Sequence, residues 1–387
     1  MAVWDELTGQ ADAIAIVEAA ASASAVGGSG DSSMTHSWLI TGPPGSGRSN
    51  LAYAFATALL STGDPESDAA TARQVAARTH PDLGVLSTER VIISIEEVRQ
   101  LVATSQFSPS VGRYRVMIIE DADRMAERTS NVLLKALEEP PPRTVWILCA
   151  PSEADLIPTI RSRVRSVRLR VPDIAEVAGL LQRRDGVDAA IATRAAREAQ
   201  SHIGMAHRLA TNADARQRRE RTLDIALGIR SVSSAVLAAA ALLDLAKADA
   251  EAITEERDAE ERDAALRSLG IEPGGTIPPA LRSQLRALDD DQKRRATRSL
   301  RDGIDRILVD LLSLYRDILL DQLGVAGDPI NLAIVDRVRA AAAASTPVET
   351  LATMDAIATA RERIDSNVPP SLALEAMLVT AIRASAS

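Results

Sequence analysis

The residues best placed to do chemistry are Gly42-Pro43-Pro44-Gly45-Ser46-Gly47-Arg48-Ser49-Asn50, set between the apolar run Trp38-Leu39-Ile40 and the apolar stretch 51–60. Glycines at this spacing let backbone N–H groups face an anion, and the N-terminus of a following helix adds its positive dipole end. The layout is that of a phosphate-binding loop, G-x-x-x-x-G-K-[ST]. One position departs from it. Where the pattern wants lysine, a compact point charge, the chain has Arg48, a wide planar fork that does not substitute for it. The expected ligand of so degenerate a site is ATP, ADP or a bare anion.

The second chemical element is Val116-Met117-Ile118-Ile119 running into Glu120-Asp121-Ala122-Asp123. In phosphate-loop ATPases an apolar strand delivers an aspartate to Mg²⁺, and a following glutamate polarises the attacking water. Here the order is reversed. Glu120 stands in the metal position one methylene too long, and Asp121 in the water position one too short. A misplacement of about an ångström costs ~100-fold in rate. His80, His202 and His207 are not spaced for a metal and read as structural histidines. Cys149, the single cysteine, lies in an apolar run and is expected to be a buried, inert thiol. Arg113, Arg115 and Arg124 read as a solvated face rather than as DNA-phosphate contacts.

These residues need elements to hold them. Strands are expected over 37–40, 114–119 and 144–150, alternating with helices over 48–60, 69–77, 95–105 and 129–137. That alternation predicts a parallel sheet covered on both faces, with the ligand at the carboxyl ends of the strands. After Pro172 the pattern is helical only, with long helices over 223–245, 293–323, 329–344 and 347–366 and polar loops at 27–33 and 270–279. Three domains follow as an expectation: 1–171 an α/β phosphate-loop domain, 172–212 a small helical lid, and 213–387 an all-α domain.

Composition agrees with that plan. A chain of 387 residues is long for one core, and 46% hydrophobic against 2% aromatic residues means cores of Ala, Leu, Val and Ile. The net charge of −9 argues against a protein that coats nucleic acid. No basic leader or membrane-length apolar run stands out, so a soluble cytoplasmic protein without membrane contact is expected.

Taken together, Gly42 to Ser49, Val116 to Met125, the run Asn131-Val132-Leu133-Leu134-Lys135-Ala136-Leu137-Glu138-Glu139-Pro140-Pro141 and Ser162-Arg163 resemble the clamp-loader branch of the AAA+ ATPases. The resemblance covers Leu7 to about Leu209. It reaches weakly into the C-terminal helices through Tyr315-Arg316-Asp317 and Asn367-Val368-Pro369. It implies an AAA+ phosphate-loop domain, a lid, and a C-terminal collar through which subunits assemble. The partners it implies are gamma or tau motor subunits and a delta subunit, with the sliding clamp and primer-template DNA reached through the complex. Any polymerase activity would belong to the holoenzyme.

Departures from the active members matter as much. Besides Arg48 and Glu120-Asp121, the expected polar sensor falls on Ala150, and the sensor arginine of the lid falls on Met205 or His207. The family's four-cysteine module has no cysteine here between the loop and His80, so structural zinc is not expected. Ser162-Arg163-Val164 resembles the family's Ser-Arg-Cys motif, whose arginine reaches into a neighbouring subunit's ATP site. The resemblance therefore implies a partner subunit that lends Arg163 in trans and hydrolyses little itself. The alternative is an autonomous ATPase of the motor type.

Overall fold

The protein is described from a computed structural model, which covers residues 4, 7–25, 34–87, 92–268 and 282–384. The loops expected at 27–33 and 270–279 lie outside the described residues. The chain divides into two compact units, Met1–Thr211 and Asn212–Ser387.

The first unit runs α1 (Ala11–Ala25), β1 (Ser37–Thr41), α2 (Arg48–Leu60), α3 (Pro65–Ala76), β2 (Leu83–Leu86), α4 (Ile95–Ser105), β3 (Arg115–Ile119), α5 (Glu127–Glu138), β4 (Thr144–Ala150), α6 (Pro158–Arg161), β5 (Arg165–Arg168), α7 (Ile174–Asp185), α8 (Ala189–Glu198) and α9 (Ile203–Thr211). The five strands form one parallel sheet in the order β2-β3-β4-β1-β5. Every residue of β1, β3 and β4 is buried, as expected of strands covered on both faces. Alternate side chains serve different cores. Trp38, Ile40, Val116, Ile118, Val145, Ile147 and Cys149 pack with α1 and α2, whereas Leu39, Met117, Ile119, Trp146, Leu148 and Ala150 pack with α4 and α5. Trp38 and Phe55 meet edge to face, with centroids 5.2 Å apart.

Both strands that the sequence pattern missed, β2 and β5, are the edges of this sheet. Each has four residues, and β5 reads Arg-Ser-Val-Arg with only Val167 buried. Short edges, charged in the case of β5, blunt further strand pairing, and the same features weaken the apolar alternation that marks a strand. The charge on β5 also makes a contact, with the Arg165 guanidinium carbon 5.1 Å from the centroid of the Trp38 ring. Helix α3 begins four residues earlier than the apolar pattern implied. Pro65 opens it, and the Asp64 side chain accepts the Ser67 N–H at 2.9 Å.

In the second unit every described regular element is helical: α10 (Ala213–Leu227), α11 (Val232–Ser268), α12 (Arg282–Gln322), α13 (Val335–Ala343), α14 (Pro347–Asp365) and α15 (Pro370–Ala384). The helix expected over 223–245 is two, parted at Gly228, with Ser231 accepting the Ser234 N–H at the new start. Its aliphatic core includes Leu242, Leu308, Leu311, Leu314 and Leu374. Within it lies a largely buried polar network. Arg219 donates to Asp310 at 3.0 Å and to Asn331 at 2.6 Å, and Asn331 donates to Asp317 and Ser313. No described helix is long and apolar enough to cross a membrane.

One carboxylate organises the approach to β3. Asp82, fully buried, accepts the N–H groups of Ser110, Val111 and Gly112, each at 2.7 Å, and an Arg115 N–H at 3.1 Å. Arg115 is itself buried and also donates to the Ser108 carbonyl, while Arg113 donates to the Ser61 and Ala58 carbonyls at the end of α2. The solvated face expected for Arg113 and Arg115 is therefore corrected: both close backbone groups that burial would otherwise leave unpaired. Arg124 lies 4.0 Å from Asp121. Burial alone would raise the Asp82 carboxyl, but the donations from Gly112, Ser110 and Val111 outweigh it and hold the group below the usual carboxylate range.

Removing a buried, multiply bonded charge costs about 3–5 kcal/mol, so Asp82→Ala is expected to lower urea stability by that order at neutral pH. Because the folded value is depressed, this contribution is complete above the unfolded value of about 4 and is lost as pH falls through the folded one. The wild-type chain should lose stability between about pH 5 and pH 3 more steeply than Asp82→Ala, and parallel curves would contradict the assignment.

Candidate functional site

The loop leaves the carboxyl end of β1 and feeds α2 directly. Gly45 and Gly47 have φ of 79° and 94°, backbone that a side chain with a Cβ avoids. Pro43, Pro44 and Asn50 are exposed, while Ser46 is buried. The loop is pinned from within. Gly42 N–H donates to the Pro151 carbonyl and Ser46 N–H to the Pro43 carbonyl. Gln10, buried just ahead of α1, donates to the Ser46 carbonyl at 3.3 Å and to the Arg170 carbonyl at 2.8 Å, and accepts the Arg170 N–H at 3.1 Å. Gln10 thus ties the loop to the exit of β5. Sequence reasoning gives it no role, and nothing in the pattern marks a lone glutamine 27 residues before a glycine-rich loop's strand as a tether.

Arg48 opens α2, and its guanidinium folds back to donate to the Gly42 carbonyl. A lysine ammonium in its place would present its charge as a point to a phosphate, whereas this fork spends part of its donor set on the loop's own backbone. Across the loop, at the carboxyl end of β3, Glu120 accepts from Ser49 Oγ at 3.4 Å, from the Tyr53 hydroxyl, and from Arg78 Nη2 at 2.9 Å. The Tyr53 phenol is pushed above its usual range, by burial first and then by its hydrogen bond to Glu120. The acid expected to serve a metal is therefore already committed to protein donors.

Asp121 is partly buried. Asp123 belongs to the same acidic run but received no role from the sequence. Its Oδ1 is buried without a hydrogen-bond partner, and burial raises its carboxyl, with Asp121 adding to the effect. Ala150 ends β4 fully buried and offers only a methyl group where a polar sensor is expected. Cys149 beside it is buried, and its thiol is raised by that burial.

Helix α9 starts against the loop. Ile203 N–H donates to the Gly45 carbonyl at 3.2 Å, and a Cβ on Gly45 would collide with the His202 ring. Gln200 and Ser201 precede it with φ of 51° and 63°, so the turn that delivers His202 is itself left-handed. Of the two residues on which the sensor position falls, Met205 donates its N–H to His202 Nδ1, and His207 pairs with Asp185 at 2.8 Å. Asp185 is held down to about 2, chiefly by Arg184 with His207 assisting. His80 is buried and accepts the Asp82 N–H, a structural histidine as read from the sequence.

Arg163 sits apart from the loop, just after α6. Its guanidinium pairs with Glu138, at the end of α5, and donates to the Thr159 carbonyl at 2.8 Å and to Ser162 Oγ at 3.0 Å. Both partners of the ion pair are exposed by a third or more. An open hollow of about 460 Å³, lined by His36, Leu137, Glu138, Ser162 and Arg163, surrounds it. Glu138 belongs to the Leu-Leu-Lys-Ala-Leu-Glu-Glu-Pro-Pro run, so two of the motifs quoted from the sequence meet here.

Residues 28–173 match the family model described as DNA polymerase III, delta subunit. The DNA polymerase III subunit delta' of Pseudomonas aeruginosa is 36% identical over 134 residues, which are 33% of this chain and 41% of that protein. The delta' subunit of Yersinia pestis is 33% identical over 150 residues, 36% of this chain and 43% of that protein. The DNA polymerase III subunit tau/gamma of Haemophilus influenzae is 27% identical over 151 residues, 38% of this chain and 22% of that protein. The chain thus spans about two fifths of the length of the delta' relatives it matches. The matched region holds the loop, the acids after β3 and Ser162-Arg163, and the resemblance to the clamp-loader branch of the AAA+ ATPases is borne out there.

The loop's seat on α9 gives a direct test. Gly45→Ala is expected to cost about 1–2 kcal/mol for the left-handed backbone and a further 1–3 kcal/mol or so for overlap with His202. Adding His202→Ala should recover the overlap part alone in urea unfolding. Additive costs in the double variant would mean that His202 does not press on Gly45.

Proposed function

We propose that this chain, which over residues 28–173 carries the sequence pattern of clamp-loader delta' subunits, works as a stator-like subunit of a bacterial DNA polymerase III clamp loader. It assembles with gamma or tau motor subunits and a delta subunit, and meets the sliding clamp and primer-template DNA through that complex. The helices of residues 213–387 serve as the collar, and residues 172–212 as the lid. ATP, ADP or a simple anion at the loop is held and not turned over.

The observation that carries the reading is an asymmetry between two arginines. Arg48, inside the chain's own loop, is turned onto the Gly42 carbonyl. Arg163 lies at the surface in an exposed ion pair with Glu138. Exposed pairs of this kind are worth about 0–1 kcal/mol, so exchanging Glu138 for a phosphate on a neighbouring subunit costs little. During phosphoryl transfer, negative charge spreads over the γ oxygens, and a guanidinium arriving from a neighbour stabilises it only when the subunits are docked. Assembly then gates hydrolysis. The tau/gamma similarity is at lower identity, and a motor role would require Arg48 and Glu120 to do what their present bonds oppose.

The reading is tested in the assembled complex. Arginine fingers contribute on the order of 10³ to 10⁵ in rate at their own site, and a complex with several sites shows only the share of one. Arg163→Ala should leave assembly intact while lowering DNA- and clamp-stimulated ATP hydrolysis and clamp loading. Arg163→Lys should rescue poorly because a point charge lacks the two-pronged contact. Arg161→Ala, an exposed neighbour, controls for lost charge. Wild-type rates with Arg163→Ala would refute the finger role.

A further inference from the structure

Arg78 has no part in the phosphate-loop pattern, yet the structure joins it to that site. It follows the end of α3 with φ of 58°, a left-handed backbone disfavoured for any residue with a Cβ. Such a conformation persists only where surrounding contacts over-determine it. Here the helix end supplies them, with Arg78 N–H donating to the Val75 carbonyl at 3.0 Å and Thr79 N–H to the Gln74 carbonyl at 2.8 Å. The far end of the side chain is held separately. Nη2 is 2.9 Å from Glu120 Oε1, and the guanidinium rests over the Tyr53 ring, 5.4 Å from its centroid. Tyr53 donates to the same Oε1, and Ser49 approaches Oε2 at 3.4 Å.

Oε1 is thus held by two close donors and the carboxylate charge is met by a cation from the same chain, while the side chain stays only 13% exposed. Geometry also accounts for glutamate in a position where the pattern wants aspartate. Tyr53 stands one helical turn beyond Ser49 on α2, and the extra methylene lets one carboxylate reach both residues and Arg78. A Mg²⁺ ion demands near-ideal octahedral oxygen ligands and gives up its waters reluctantly. A carboxylate bonded to a phenol and a guanidinium does not offer that, and among the described residues no three His, Cys, Asp or Glu side chains converge as a metal group.

We propose that Arg78 is a resident replacement for the divalent cation of the phosphate-loop site: it neutralises Glu120 permanently, excludes Mg²⁺ from it, and leaves the loop to hold any phosphate ligand without metal. This goes beyond the subunit reading, which would hold equally for a chain that kept Mg²⁺ beside an inert nucleotide. The stacking of the Arg78 guanidinium on Tyr53, its ion pair and the longer acid are then one co-adapted set.

Mn²⁺, a magnetic stand-in for Mg²⁺, tests this by electron paramagnetic titration of the full chain. Wild type and Glu120→Gln should bind the same number of Mn²⁺ ions. Arg78→Gly, which frees the carboxylate and relieves the backbone, should bind one more, and adding Glu120→Gln should remove it. Arg78→Gln serves if the glycine variant does not fold, and Arg78→Lys, which keeps the charge, should exclude the ion as wild type does. A wild-type Mn²⁺ ion lost in Glu120→Gln would overturn the proposal. So would an Arg78→Gln chain that folds and binds no additional ion. Neither result depends on Arg163 or on assembly, so the subunit reading can fail while this one stands.

Discussion

Glu120 leaves the carboxyl end of β3 with its oxygens divided between Ser49 on one side and Tyr53 and Arg78 on the other. A carboxylate neutralised inside the protein cannot also serve as an open metal ligand, and the rest of the site is arranged around that commitment. Helix α2 supplies Ser49 and Tyr53 one turn apart, the segment after α3 supplies Arg78, and β3 fixes the height from which Glu120 reaches them. The same site in a hydrolysing enzyme would keep those groups free until nucleotide and metal arrived.

With its charges spent internally, the phosphate loop works as a structural joint. Gln10 bonds it to the exit of β5, Pro151 receives its first N–H from the end of β4, and the start of α9 seats on Gly45 through Ile203 and His202. Four segments remote in sequence therefore meet at one turn. The glycines that would let a loop wrap a phosphate here let it be approached closely by other backbone. A chain can lose catalysis at such a loop and retain the glycines, because packing still requires them at Gly45.

Much of the fold was legible in the sequence because the central strands are apolar and followed by glycine, acids or proline. Ser37–Thr41, Arg115–Ile119 and Thr144–Ala150 could be read that way, and so could the change to helices after Pro172. The edge strands Leu83–Leu86 and Arg165–Arg168 could not, since both are only four residues long, β2 is interrupted by Gly84 and β5 is flanked by arginines, which leaves little strand signal. At the site, Arg48, Glu120 and Asp121 stand out in the sequence as departures, but their consequences do not. Which way a guanidinium turns is a tertiary fact. Arg78, Gln10 and His202 were missed for the same reason, each acting across 36 residues or more on a partner that no local spacing points to. Arg115 was misread as a surface charge because a buried arginine looks identical in sequence, and only the fully buried Asp82 explains its place.

The central claim is that the chain's own phosphate loop is not a catalytic site. The most direct measurement is ATP turnover by the isolated full-length chain with Mg²⁺ present, at protein concentrations high enough to reveal a slow enzyme. The account expects phosphate release at the rate of buffer alone, unchanged by Ser49→Ala and unchanged by Arg48→Lys, because Glu120 stays bound to Tyr53 and Arg78 in each case. Sustained turnover by the wild-type chain that Ser49→Ala abolishes would contradict it.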